Sequence, residues 1–382
     1  MRYDKNGIFL HSSCSALLKT LFFLALMLVG TISCRWLPGG EKKQPVRIGA
    51  ILSLSGTGSH LVDVRDAMVM AAEEVNAQGG IDNRKIELIV EDSKSSPVEA
   101  EKIFLRLEEQ EKPPLLYVST LSSVGMALAP LAARHQVVLM GLVTSAPQFA
   151  EQGKWVFRDY TNSQEETRVA QRILDTLKVR QLGIVHLDDP YGNSVAKLLG
   201  QSFAATGGSV TAVAFAYDVT DLTPQIETVR TMQAVYVVGL VGHIRLAIRQ
   251  LRQAGYTGHL IAASGAANPQ ITEMAEAEGV FVGIPLVYNE DFLFARQFKN
   301  NYQARFGKPF SHQAANGYDC VRMIAGLLEG NEVSRQNLQF LLSHGFLYSG
   351  VQGDYELKAG SQEIMMPLYP ARIDHGRLRL SQ

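Results

Sequence analysis

Ser122 and Ser123 follow an apolar run that ends at Val118 and open a stretch with helical spacing. Hydroxyls and free backbone N–H groups at a helix start can converge on an anion such as a carboxylate. A serine there also serves simply as a helix cap. Ser145, in the segment VTSAP from Val143 to Pro147, follows the next apolar run. It is either a second hydroxyl for the same group or an ordinary turn serine before proline. Tyr191, in DDPYG, offers an apolar face with a hydrogen-bonding tip, or else fills a strand-to-helix turn. Asp188 and Asp189 stand just before it and read as turn and cap residues able to meet a cation.

Other chemistries find little support. Gly56-Thr57-Gly58 with Glu91-Asp92 imitates part of a dinucleotide-binding fingerprint, but Leu61 stands where the third glycine belongs. Ser145 lacks the glycine-flanked elbow of a hydrolase, and no histidine is tied to it by a readable motif. The nine histidines show no HExxH or comparable metal spacing. His186 ends an apolar strand and reads as an interior or rim residue.

The candidate residues fall between elements of two alternating kinds. From Val46, apolar runs with strand character alternate with stretches of helical period, the pattern of parallel βαβ units. Strands are expected at Val46–Leu52, Ile86–Val90, Leu115–Val118 and Val137–Leu142, with helices near Val64–Val75, Ala100–Leu107 and Met126–Ala133 between them. Residues Trp155 to Thr161 read as a link. The alternation then restarts, with strands at Leu182–His186, Val210–Phe215, Ala234–Val238, His259–Ala263 and Val280–Pro285. Helices are expected at Glu165–Leu177, Asn193–Ala205, Leu222–Met232, Ile244–Ala254 and Gln270–Ala277. Two further helices, Phe292–Phe306 and Gln313–Leu328, arrive with almost no strand between them, so they are expected to return to the first unit rather than to found a third.

At 382 residues, 46% hydrophobic and 19% charged, the chain is long enough for about two domain cores. The formal charge of -1, from 36 basic and 37 acidic side chains, supplies no field that would gather nucleic acid. Three cysteines, Cys14, Cys34 and Cys320, make no disulfide framework, and Cys320 reads as a small buried hydrophobe. Arg2, Lys5 and Lys19 accompany a basic start, and a charge-free run from Leu21 to Val29 ends in Gly30-Thr31-Ile32-Ser33-Cys34. That run is too short to span a bilayer and matches a secretory signal. Ser33-Cys34 resembles a bacterial lipobox, with Thr31 departing from the usual leucine; the alternative is an ordinary signal peptide with a coincidental cysteine. Residues 35–45 have the polar, glycine-containing composition of a tether.

Four segments carry a resemblance: IGAILSLSG from Ile48 to Gly56, AAEEVNAQGGIDNRKIELIVEDSKSSP from Ala71 to Pro97, DDPYGNS from Asp188 to Ser194, and HQAANGYDCVRMIAGLL from His312 to Leu328. In this order and spacing the chain resembles the leucine/isoleucine/valine-binding family of periplasmic solute-binding proteins, the type I class. The resemblance implies an α/β fold of two doubly wound, Rossmann-like lobes joined by three hinge crossings, with lobe 1 formed by residues 46–160 and 289–343 and lobe 2 by residues 161–288 and 344–382. A ligand would lie between the carboxyl ends of both sheets, and the lobes would close on it.

By the same resemblance, Ser122, Ser123, Ser145 and the backbone of Val143 would hold a ligand carboxylate, and Tyr191 would cover it from lobe 2. Ser264, in AASGAAN, stands where relatives carry an acid for the ligand's ammonium. Leu240 stands where they often have tyrosine, and His60 about where a first-lobe aromatic reaches in. These departures lead us to expect a more apolar pocket and to question an amine on the ligand, unless Asp188, Asp189 or Glu290 replaces the missing anion. The implied function is that of the extracytoplasmic binding component of an ABC importer, lipid-anchored through Cys34 and docking its closed form on a membrane permease. A sensory module of the same fold is the alternative. No catalytic residue, cofactor, metal or nucleic acid is implied.

Overall fold

The computed structural model describes residues 43–289 and 292–381, so the leader, Cys34 and Glu290 lie outside the described residues. The chain begins with β1 (Val46–Leu52), a short 3-10 turn (Gly56–Leu61), α1 (Val62–Ala77), β2 (Ile86–Asp92), α2 (Pro97–Glu108), β3 (Leu116–Thr120), α3 (Ser122–His135), β4 (Val138–Leu142) and β5 (Val156–Asp159). It continues with α4 (Ser163–Thr176), β6 (Gln181–Leu187), α5 (Pro190–Ala205), β7 (Ser209–Phe215), α6 (Thr223–Val229), β8 (Ala234–Val238), α7 (Val241–Gln253), β9 (His259–Ala262), α8 (Pro269–Thr272) and β10 (Phe281–Ile284). The last third comprises α9 (Leu293–Phe306), α10 (His312–Leu328), α11 (Arg335–Ser343), β11 (Phe346–Gly350), β12 (Gly353–Leu357), β13 (Glu363–Met365), β14 (Tyr369–Asp374) and β15 (Arg377–Leu380).

These strands form two sheets, ordered β11-β12-β13-β5-β4-β3-β1-β2 and β15-β14-β10-β9-β8-β6-β7. Within each, the inner strands run parallel and have both faces covered. On β1, Val46, Ile48, Ala50 and Leu52 enter one core, while Ile51 enters another. On β8, Val235 and Val237 face one core, and Ala234, Tyr236 and Val238 the opposite one. The period of two along a strand dictates this division. The chain crosses between the sheets three times: after β5, between β10 and α9, and between β13 and β14.

The helices α9 and α10 return to the first sheet as expected, contributing Phe298, Tyr302, Ala315 and Val321 to its core. Cys320 is buried there. Among the described residues, no helix is long and apolar enough to cross a membrane.

Several expectations need correction. Residues 344–382 do not all join the second sheet. The hairpin β11–β12 and the short β13 extend the first, where Glu363 and Ile364 pair with Arg158 and Asp159, and only β14 and β15 reach the second. The supposed link at Trp155–Thr161 contains β5, whose four residues are all buried. The helix expected over Gln270–Ala277 is broken into α8 and a 3-10 turn at Ala275–Ala277. Finally, α3 starts at Ser122, four residues earlier than its apolar spacing suggested, because small residues fill its first turn.

Candidate ligand-binding site

Both sheets reverse strand order beside their first strand, between β1 and β3 in one and between β6 and β8 in the other. At such switch points the connections leave in opposite directions and open a crevice at the strands' carboxyl ends. A cavity lies there, walled by both halves of the molecule. His60, Leu121, Ser122, Val143, Ser145 and Gln313 come from the first half, and Asp189, Tyr191, Tyr217, Leu240, Ser264 and Gly265 from the second, with Tyr160 at the first crossing.

Thus His60, Ser122, Val143, Ser145, Tyr191, Leu240 and Ser264 are brought together, whereas Ser123 is half-buried and does not reach the wall. Leu121, with φ +70°, occupies the cap position of α3, and Ser122 is its first helical residue. Val143 has φ +49°. Positive φ at a β-branched residue is strained, and such strain gathers where a loop must present its backbone to a site. The two residues directly follow β3 and β4, and both line the cavity.

The two serines differ in what they have left to offer. The Ser122 hydroxyl accepts from the Ala146 N–H at 3.2 Å, which leaves its proton free. The Ser145 hydroxyl donates to the Thr161 carbonyl at 2.9 Å, so its proton is already used to tie the turn after β4 to the first crossing. The amides of Ser122, Ser123 and Val124 precede the first helical bond of α3, from Gly125 N–H to Leu121. One hydroxyl proton and a helix N-terminus therefore converge at this end of the cavity.

The opposite wall carries acceptors. Asp189 caps α5, taking the Gly192 N–H at 2.7 Å, and also lines the cavity; burial pushes its carboxyl up to about 6. Asp188 is exposed and holds Asn193 at 2.9 Å, away from the wall. Behind Ser264 lies Glu166, in the first turn of α4 and 1% exposed. Its carboxylate accepts the Ser264 N–H at 3.1 and 3.2 Å, the Ser264 hydroxyl, and the Tyr236 hydroxyl at 3.3 Å. Burial pushes Glu166 up to about 7, against the pull of these donors.

Sequence reasoning missed Glu166, Gln313, Tyr160 and Tyr217. An acid in a helix's first turn ordinarily reads as a dipole partner facing solvent. Only the position of α4 beside the first crossing places Glu166 under the cleft. His60 is held neutral, its value lowered to about 4 chiefly by burial. Asp92, the acid of the apparent dinucleotide fingerprint, is committed to the Leu54 and Ser55 amides and the Ser55 hydroxyl. His186 is a buried residue, its ring bonded to the Leu187 carbonyl at 3.1 Å.

Comparison with known proteins agrees with this geometry. The chain is 30% identical over 173 residues to the chemotactic signal transduction system substrate-binding protein BasB of Halobacterium salinarum, covering 42% of each chain. It is 24% identical over 226 residues to an amino acid binding protein of Pseudomonas aeruginosa, covering 58% of this chain and 60% of that one. The matches thus span less than two thirds of these relatives' length. Among solved structures, a leucine binding protein LivK from Thermotoga maritima superposes with a TM-score of 0.79 at 22% identity, over 88% of this chain and 98% of that one. A solute binding protein of an ABC transporter from Rhodopseudomonas palustris, in complex with 3,4-dihydroxy benzoic acid, gives 0.80 at 16%, over 88% and 95%. The architecture is that of the type I periplasmic binding proteins. The family described as periplasmic binding protein matches residues 45–377, and the chain belongs to it.

Proposed function

We propose that this chain is the extracytoplasmic binding component of an ABC importer and traps a small carboxylate-bearing solute by closing its two halves. The observation that carries this reading is a cavity walled from both halves, with a free hydroxyl proton and a helix N-terminus at one end. A ligand touching both halves favours the closed arrangement by its differential affinity for it. A branched-chain amino acid or a related organic or aromatic acid fits the mixture of Leu240, Val241 and Tyr191 with these polar ends. In this reading, acylated Cys34 anchors the protein at the outer side of the cytoplasmic membrane, where the closed form docks on a permease. The lobes divide at the three crossings.

The test is a thermal-shift screen of amino acids and aliphatic and aromatic acids, since a ligand that binds only the native state raises the melting temperature. Ser122→Ala should then weaken a carboxylate ligand about tenfold, the scale of one charge-assisted hydrogen bond. Unchanged calorimetric affinity in Ser122→Ala removes that residue from the site. A sensory role is the second reading, favoured by the similarity to BasB. Growth on the identified ligand as sole source, with the gene deleted, separates uptake from sensing.

A further inference from the structure

The turn that carries Val143 and Ser145 to the cavity is held from behind by a buried arginine. Arg158, on β5 opposite Gly141 of β4, is 0% exposed. Its Nη1 donates to the Ala146 carbonyl at 2.5 Å and to the Thr144 carbonyl at 3.4 Å, one on either side of Ser145. Its Nε donates to Glu363 at 2.8 Å, and its Nη2 to the other oxygen of the same carboxylate. Glu363 opens β13 and also accepts the Asn162 side-chain N–H at 3.3 Å, and Asn162 caps α4 just past the first crossing. On its other side Ala146 reaches the cleft, where its N–H donates to the Ser122 hydroxyl at 3.2 Å. A buried ion pair is a weak source of stability, because desolvation offsets the attraction. What a guanidinium fork does supply is direction, since its donors lie in one plane at set angles. Here the fork fixes Ala146, and with it the bond that leaves the Ser122 proton free.

We infer that Arg158 is a positioning residue for the ligand's carboxylate: anchored by Glu363, it sets the place of Ala146, which in turn holds the Ser122 hydroxyl with its proton directed to the cleft. This rests on the proposed reading of Ser122 as a donor to a carboxylate. Arg158 does not line the cavity and acts at one residue's remove, from the far side of the Ser145 turn. Lysine in its place keeps the charge, but a single compact ammonium cannot hold Glu363 on two atoms and the backbone carbonyls at once. Without that hold Ala146 is free to shift, and the Ser122 hydroxyl loses the donor that keeps its proton aimed at the ligand.

A double-mutant cycle on the full chain separates this from a purely structural role, with leucine and isocaproate, the same skeleton without the amine, as calorimetric probes. Ser122→Ala and Arg158→Lys should each weaken both probes about tenfold, the scale of one charge-assisted hydrogen bond. The double variant should lose little more than either single one. A general loosening of the fold would instead cost the same factor whether or not the Ser122 hydroxyl is present. Independent losses, multiplying to about a hundredfold in the double variant, therefore overturn the inference and leave the carboxylate reading standing. Unchanged affinity in Arg158→Lys does the same. Unchanged affinity in Ser122→Ala overturns both, and so does failure of the wild type to bind either probe. If Arg158→Lys does not fold, as judged by circular dichroism and melting, Glu363→Gln takes its place in the cycle. That change keeps the side chain's shape but removes the charge that anchors the fork, and it should show the same non-additive loss.

Discussion

At the scale of single residues, Ser122, Ser145, Ser264 and Gln313 are polar groups buried at the cleft wall, and other buried polar groups lie away from it. Asp159, at the end of β5, is 1% exposed, and neither carboxyl oxygen has a hydrogen-bond partner. Burial, reinforced by the nearby Asp319 charge, pushes it up to about 8. A carboxyl raised above its unfolded value holds its proton in the native state after the unfolded chain has lost it. Its contribution is therefore complete below about pH 4 and disappears as the pH rises to about 8. Asp159→Asn removes this titration. The wild type should lose stability relative to the variant across that window, with an upper slope of about 1.4 kcal/mol per pH unit. Urea unfolding of both proteins at several pH values measures it, and parallel profiles would refute it. Neither Asp159 nor Glu166 was legible as special in the sequence, because an acid's burial depends on which elements cover it. The cleft hydroxyls were legible, because a serine directly after an apolar strand must lie at that strand's carboxyl end.

At the scale of elements, legibility follows the strength of the local period. The parallel strands, buried on both faces, show as continuous apolar runs, and their helices as stripes three and four residues apart. By contrast, β11 alternates between half-buried and exposed positions, and β13 has three residues, so neither announces its sheet. Their place is set by distant partners such as Arg158, whose guanidinium pairs with Glu363 and holds the Ala146 carbonyl. Helix packing is similarly non-local. The close approach of α10 to α1 depends on Gly317, where an added Cβ would come within 2.8 Å of the Val64 carbonyl and 3.1 Å of Met68. Gly317→Val should therefore cost about 1–3 kcal/mol by overpacking. Because α10 carries Gln313 in its first turn, the variant should also weaken ligand binding, whereas Gly326→Ala on the same helix, where a Cβ meets nothing within 4 Å, should do neither. Chemical denaturation and calorimetry on the two variants check this, and equal stabilities would show that α1 and α10 part without cost.

For the whole molecule, the quantity that matters is the balance between open and closed arrangements of two halves joined by three crossings. Besides any ligand, the halves face each other directly: Tyr217 of the second half stands beside Thr57 of the first, and His60 lies close enough to His243 for the two rings to influence each other's charge. Such contacts stabilise closure whatever the ligand's chemistry. When only the closed form binds tightly, the apparent affinity scales with its population. Tyr217→Phe deletes the hydroxyl that faces Thr57, a polar contact with a net effect of about 1 kcal/mol, and should weaken binding about fivefold. The loss should appear mainly in the dissociation rate. Its signature is uniformity: leucine and isocaproate, which differ by the amine, should lose the same factor. Stopped-flow dissociation measured for both ligands decides the matter, since a loss confined to one of them would place Tyr217 on the ligand and leave closure to the crossings.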